Sequence, residues 1–291
     1  MTSQTAVDSV RPFIPGRARS EVARTAIVYV LLIAICLLFF VPFVWTITGS
    51  FKTIPDSVNV SLIPHPWTTS AWHAIWSQYD FKLYIRNSLF LAAVIVASNV
   101  FLAGLGGYAF ARLKFPGREL LFFLVLGTLM VPDQLRLIPV FVMLTNWGLI
   151  AGFSGYILIN LVTATNLFFM RQYFLTIPKD FEEAAKLDGA GYFKTFWRVM
   201  LPLAGPAIAA LTILQFQGTW NDFFWPLILF GQGSTHLYTI QLGLAELNFT
   251  YSTLWPEILA GSLIAIAPVL IVFLVFQRYF IAGVVASGIK G

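Results

Sequence analysis

The 291-residue sequence reads as an all-α integral membrane protein, for three reasons. Hydrophobic residues make up 58% of it and charged residues only 11%, against the roughly 25% charged residues usual in soluble domains. Its 28 Phe, 10 Tyr and 9 Trp carry more apolar surface than a water-soluble chain of this composition has polar groups to cover. Apolar runs without a charge also recur at about the 20 residues that a helix needs to cross a bilayer.

Six such helices are predicted, in chain order. Residues 1–24 bear arginines and prolines and are expected to form a flexible N-terminus. The first span lies in the 27 charge-free residues Thr25 to Phe51, too long for the apolar core of a cleaved leader. An outer segment, 49–86, follows. Pro55, Pro64 and Pro66 break it, and Trp67, Trp72, Trp76 and Tyr79 recur through it, a density that suits the membrane interface. Both a loop resting on headgroups and a docking surface for a partner fit that segment.

The second span falls in Asn87 to Ala111 (25 residues) and the sixth in Ile258 to Gln277 (20 residues). The third, Leu120 to Val142, is interrupted: 13 apolar residues reach Pro132, and Asp133 and Arg136 stand three apart, the spacing of a pair on one helix face. Glycines 148 and 152 mark a turn before the fourth span, Phe153 to Phe174. Pro202 sets the start of the fifth, Leu203 to Phe230, which carries Asp222. An outer loop, 231–256, separates it from the sixth, and residues 283–291 form a C-terminal tail.

Charge sets the orientation. With six spans and an inner N-terminus, 14 of the 18 Lys and Arg residues fall on the inner side, the asymmetry expected when basic loops stay cytoplasmic. Both termini are therefore predicted inside, in a multi-pass protein surrounded by lipid. The net charge of +5 is spread between apolar runs and not gathered on one solvated face, which argues against nucleic acid. The single cysteine, Cys36, excludes an intrachain disulfide. His65, His73 and His236 lack acids at ligand spacing, so no metal site is expected, and no nucleophile with a base or pair of opposed carboxylates suggests an enzyme.

The inner loop between the fourth and fifth spans, 178–206, reads PKDFEEAAKLDGAGYFKTFWRVMLPLAGP. Asp180 and Glu183 have the spacing of a capped helix start, giving a helix to about Leu187. Gly189 supplies the positive φ that ends it, and Ala190 to Met200 reads as a second helix closed by Leu201 and Pro202. Ala184, Ala185, Gly189 and Ala190 leave the turn nearly bare, able to enter another protein's groove. Phe193, Phe196 and Trp197 are expected to hold the second helix against the bundle.

On these residues the sequence resembles the EAA loop of bacterial ABC-importer permeases: Glu183-Ala184-Ala185, two residues, Asp188-Gly189-Ala190, five residues, Phe196, then Val199, Leu201-Pro202 and Pro206. Val199 stands where the family usually has Ile. The resemblance implies a coupling helix that docks on a cytoplasmic ATPase, with Glu183, Ala184, Ala185, Asp188, Gly189 and Ala190 as its contact residues. No Gly-x-x-x-x-Gly-Lys-Ser/Thr loop is present, so ATP and Mg belong to the partner and this chain binds no cofactor.

Residues 26 to 291 further resemble the maltose-type, carbohydrate-uptake branch, through Trp220-Asn221-Asp222-Phe223-Phe224-Trp225-Pro226-Leu227 and the ending Gln277-Arg278-Tyr279-Phe280, Gly283, Gly288, Lys290 and Gly291. That branch implies a sister permease, two ATPase subunits touched also by the tail (Gly288, Lys290, Gly291), and an extracytoplasmic solute-binding protein. Gln215, Thr219 and Asp222 fall on one stripe of the fifth span, with Asn221 on another. Such polar groups either line a translocation path or tie neighbouring helices together. The expected function is a permease subunit carrying a sugar or oligosaccharide across the bacterial cytoplasmic membrane. A glycerol-phosphate or polyol importer is the alternative in the same class, and an autonomous channel or ion-coupled carrier the alternative outside it.

Overall fold

The computed structural model describes residues 15–150, 152–231, 233–249 and 254–288, and among these every regular element is helical. The helices are α1 (Pro15–Gly49), α2 (Ile54–Ser57), α3 (Ser70–Ser77), α4 (Phe81–Arg112), α5 (Arg118–Gly127), α6 (Asp133–Asn146), α7 (Phe153–Ile159), α8 (Ala164–Thr176), α9 (Asp180–Leu187), α10 (Tyr192–Thr195), α11 (Leu201–Leu203), α12 (Gly205–Trp220), α13 (Phe224–Phe230), α14 (Ile240–Phe249) and α15 (Trp255–Gly288). A 3₁₀ turn, Thr128–Met130, extends α5, and a π-helical turn, Phe196–Met200, joins α10 to α11.

Three helices are long and apolar enough to cross a bilayer in one piece, within Glu21–Gly49, Phe81–Arg112 and Trp255–Arg278. Three more reach that length only as bent pairs: Arg118–Met130 with Asp133–Asn146 at 103°, Phe153–Ile159 with Ala164–Thr176 at 42°, and Tyr192–Leu203 with Gly205–Trp220 at 76°. The predicted third span is thus sharply folded at Pro132, whose ring cannot continue the α5 ladder. The predicted fourth and fifth spans, read as continuous helices, are each broken, at 160–163 and 221–223. Helix α1 begins at Pro15, so part of the arginine-bearing N-terminal stretch is helical.

Helix α4 is the hub, with α8, α12 and α14 packed on it and α15 closing against α12. Its fit to α8 depends on Gly107: a Cβ there would lie 2.7 Å from the Met170 Cβ and 2.8 Å from the Arg171 backbone nitrogen. Small residues let membrane helices approach this closely. At the α9 end of the bundle, Tyr108, Met170, Phe174, Phe196 and Met200 form one buried cluster. Toward the other end, Phe81, Tyr84, Trp220 and Ile240 form a second. Trp220 donates its indole N–H to the Ala265 carbonyl of α15 at 2.9 Å, within a turn of Pro268.

The segment between α1 and α4 is ordered by its own contacts. Trp67 and Trp72 pack on Phe51 with ring centroids 5.7 and 5.9 Å away, Trp72 half-buried and Trp67 60% exposed. The buried Lys52 ammonium donates to the Asn59 and Ser61 carbonyls (2.8 and 2.6 Å), and Asp56 accepts from the Asn59 amide and the His65 N–H. Trp76 is exposed as well.

Candidate functional site

Two features carry function-bearing residues: the loop that follows α8 and a cavity among the helix breaks. In the loop, α9 spans the residues predicted, but its start differs from the predicted cap. Asp180 is the first helical residue and caps nothing with its side chain; the Lys179 carbonyl accepts the N–H groups of Glu182 and Glu183 instead. The far end is a Schellman closure, in which Gly189, at φ 73°, donates to the Lys186 carbonyl and Ala190 to the Ala185 carbonyl.

Helix α9 has two faces. Glu182 and Ala185 are buried toward the bundle, whereas Glu183, Ala184, Leu187, Asp188 and Gly189 are exposed, Leu187 at 89%. The inward face is tied by an ion pair: Arg112, in the last turn of α4, sets its Nε 3.6 Å from the Glu182 Oε1, with side chains only 5% and 12% exposed. The same guanidinium donates to the Phe174 carbonyl at 2.6 Å and to the Ile177 carbonyl, at the end of α8. One cation thus joins the ends of α4 and α8 to α9, using carbonyls that a helix C-terminus leaves unpaired. A second arginine, Arg171, sits 4.0 Å over the Phe122 ring and bonds the Phe110 carbonyl and Glu119, fastening the end of α4 and the start of α5 to α8.

The helix predicted over Ala190 to Met200 starts two residues later, after extended Gly191, and does not close at Pro202. A π-helical turn at Phe196–Met200 accommodates the approaching proline, the chain runs on to Leu203, and it turns by 76° at Ala204. Of the three aromatics expected to hold it, Phe196 is buried, its ring 5.4 Å from Tyr108 and 6.4 Å from Phe174. Phe193 and Trp197 are 68% and 50% exposed, and Trp197 meets the Phe101 ring of α4 edge-on at 6.3 Å. Between α9 and α10 lies a shallow cleft of about 440 Å³ lined by Ala184, Ala185, Asp188, Ala190, Lys194 and Arg198.

The cavity has a volume of about 720 Å³. Thr128, Asp133, Gln134 and Arg136 line it from the break between α5 and α6; Asn160, Thr163 and Thr165 from that between α7 and α8; and Asp222, Phe224 and Trp225 from that between α12 and α13. Asp133 and Arg136 form the ion pair that their spacing suggested. Asp222 accepts from the buried Tyr156 hydroxyl at 2.8 Å and from the Trp225 N–H at 3.4 Å.

The other predicted path residues lie elsewhere. Gln215 donates to the Thr219 hydroxyl (3.1 Å) and accepts from Asn166 (2.6 Å), inside the bundle; Asn221 accepts from Gln241 at 3.3 Å. Asn166 in turn bonds the fully buried Asn99, which accepts the Thr163 N–H and donates to the Asn160 carbonyl. Asn99 thereby satisfies backbone groups that the α7–α8 break frees. Asn99 and Asn166 were missed in the sequence, although amides inside charge-free spans are the signal that finds such sites. Arg112 and Tyr156 gave no local signal. In the tail, Gly288 ends α15, and Lys290 and Gly291 lie outside the described residues.

Comparison with known proteins gives this arrangement a family. The arabinooligosaccharides transport system permease protein of Halalkalibacterium halodurans is 36% identical over 255 residues, 86% of this chain and 91% of that protein. The sn-glycerol-3-phosphate transport system permease protein of Yersinia pestis bv. Antiqua is 33% identical over 230 residues, 77% of this chain and 81% of that one. Among solved structures, a chain of a bacterial ABC transporter involved in the import of the acidic polysaccharide alginate superposes with a TM-score of 0.79 at 26% identity, covering 93% of this chain and all of that one. Residues 100–285, which hold α9, its arginine clamp and the cavity, match the model of the binding-protein-dependent transport system inner membrane component, and the chain belongs to that family.

Proposed function

We propose that this chain is the non-catalytic permease subunit of a bacterial ABC importer that carries a sugar or oligosaccharide across the cytoplasmic membrane. It crosses the membrane six times with both termini inside, the three bent pairs and the α12–α13 continuation completing the spans that α1, α4 and α15 make alone. Its partners are a sister permease, two cytoplasmic ATPase subunits that bind the ATP and Mg, and an extracytoplasmic solute-binding protein. The observation that carries the reading is α9: an exposed face of Glu183, Ala184, Asp188 and Gly189, backed by a buried ion pair to the ends of two spans. A docking surface joined in this way moves with α4 and α8, so closure of the ATPase pair becomes a rearrangement of the bundle. Similarity to an arabinooligosaccharide permease favours a saccharide cargo, and similarity to a glycerol-phosphate permease supports the second reading.

The test is Gly189→Asp in proteoliposomes holding the complete complex. A Cβ at 189 meets nothing within 4 Å, and aspartate bears the strain of φ 73° better than most residues, so a carboxylate enters the docking turn at a small cost to the fold. ATP-driven uptake of arabino-oligosaccharide is expected to fall at least tenfold, with insertion unchanged. Full uptake would sink the coupling role, and uptake of glycerol 3-phosphate alone by the unaltered complex would select the second reading.

A further inference from the structure

We propose that the cavity at the three helix breaks is a solute subsite of this chain itself, shaped for a neutral, hydroxyl-rich molecule and against an anionic one, with Asp222 setting that preference. The proposal rests on the permease reading and adds to it the place and the charge class of the cargo.

Three observations support it. Non-helical backbone at membrane depth is tolerated where it is buried in protein or lines a watery cavity, and here three separate breaks open onto one space. Its volume of about 720 Å³ is that of a small-molecule site. Its lining alternates groups that donate and accept, such as Asn160, Thr165 and Gln134, with the rings of Phe224 and Trp225, which together suit hydroxyls on an apolar ring.

The charges decide the class. Among the described residues, Arg136 is the only cation in the lining, and Asp133 already pairs with it. Asp222 receives neutral donors, among them the Tyr156 hydroxyl and the Trp225 N–H. An ionised Asp222 leaves one negative charge over, which repels a phosphate or a uronate at short range. The amide network around Asn99 and Gln215 is satisfied within the bundle and offers the cargo no comparable charge.

The test reads the cavity's potential directly in the complete complex. In a Cys36→Ser background, Thr165→Cys and Ala164→Cys place a thiol in the lining. Reaction rates are compared for a cationic (trimethylammonium-ethyl) and an anionic (sulfonatoethyl) methanethiosulfonate. The cation is expected to react at least tenfold faster, and Asp222→Asn to reduce that ratio at least threefold. Arg136→Gln combined with Asp133→Asn, which removes a neutral pair, is expected to leave the ratio in place, and a fall equal to that of Asp222→Asn would overturn the assignment to Asp222. Equal rates, a ratio indifferent to Asp222→Asn, or labelling only by a membrane-permeant maleimide would each overturn the proposal. Filling the space with Thr165→Trp is expected to lower arabino-oligosaccharide uptake at least tenfold in a complex that still assembles; unchanged uptake would remove the subsite. The labelling ratio is measured without transport, so its failure is separate from a failure of the unaltered complex to transport, which would instead undo the permease reading.

Discussion

Arg112 shows how much a single side chain decides here. Its guanidinium neutralises Glu182 and occupies two carbonyls at the end of α8, so three elements share one partner. A buried pair is weak evidence of stability as such, but breaking it is costly because the surviving charge stays buried. Arg112→Ala is therefore expected to destabilise the permease by about 3–5 kcal/mol and to loosen ATPase co-purification, measured by thermal unfolding and by pull-down of the complex. Arg112→Ala combined with Glu182→Gln is expected to recover part of the stability but not the coupling of ATP hydrolysis to uptake. The exposed half of α9 was legible in the residue pattern, since a Gly-ended helix rich in alanine is a local feature. The clamp was not, because Arg112 and Glu182 are far apart in the chain and each reads locally as an ordinary basic or acidic loop residue.

Elements meet at positions that hydropathy does not distinguish. Gly107 is one apolar-run glycine among several, yet it sets the α4–α8 distance. Gly107→Val drives a side chain into the α8 backbone, and the expected result is loss of monodisperse protein on size-exclusion chromatography; a well-folded variant would show that α8 is free to shift. The segment between α1 and α4 behaves as an element of its own. The His65 N–H and then the Asn59 amide hold the Asp56 carboxyl below its ordinary value of 3.8. A depressed carboxylate contributes stability above that value and loses it as pH falls through the folded-state value. A spin label at Val60→Cys in the Cys36→Ser background, at a position 90% exposed and so reporting the backbone, is expected to be less mobile at neutral pH than in acid below about pH 4. Asp56→Asn should be mobile throughout, and a label insensitive to both changes would refute the clasp. Proline and tryptophan density located this segment in the sequence, but the packing of Trp67 and Trp72 on Phe51 depends on a fold-back that no periodicity records.

For the whole molecule, the orientation is the property to measure. A membrane-impermeant maleimide added to intact spheroplasts is expected to label Val60→Cys and to spare Lys186→Cys until the membrane is opened, both in the Cys36→Ser background. The reverse pattern would place α9 outside, away from any ATPase. Composition, charge-free run lengths and the Gly189 turn are enough to read a helical membrane protein, its unbroken spans and the Gly-ended helix α9, because each depends on residues adjacent in the chain and on how lipid or water treats them. The convergence of three helix breaks on one cavity, the buried Arg112–Glu182 pair and the Asn99 network come from packing alone. They join residues tens of positions apart, and burial and hydrogen-bond satisfaction are settled between helices, where the pattern along any one of them carries no information about its neighbour.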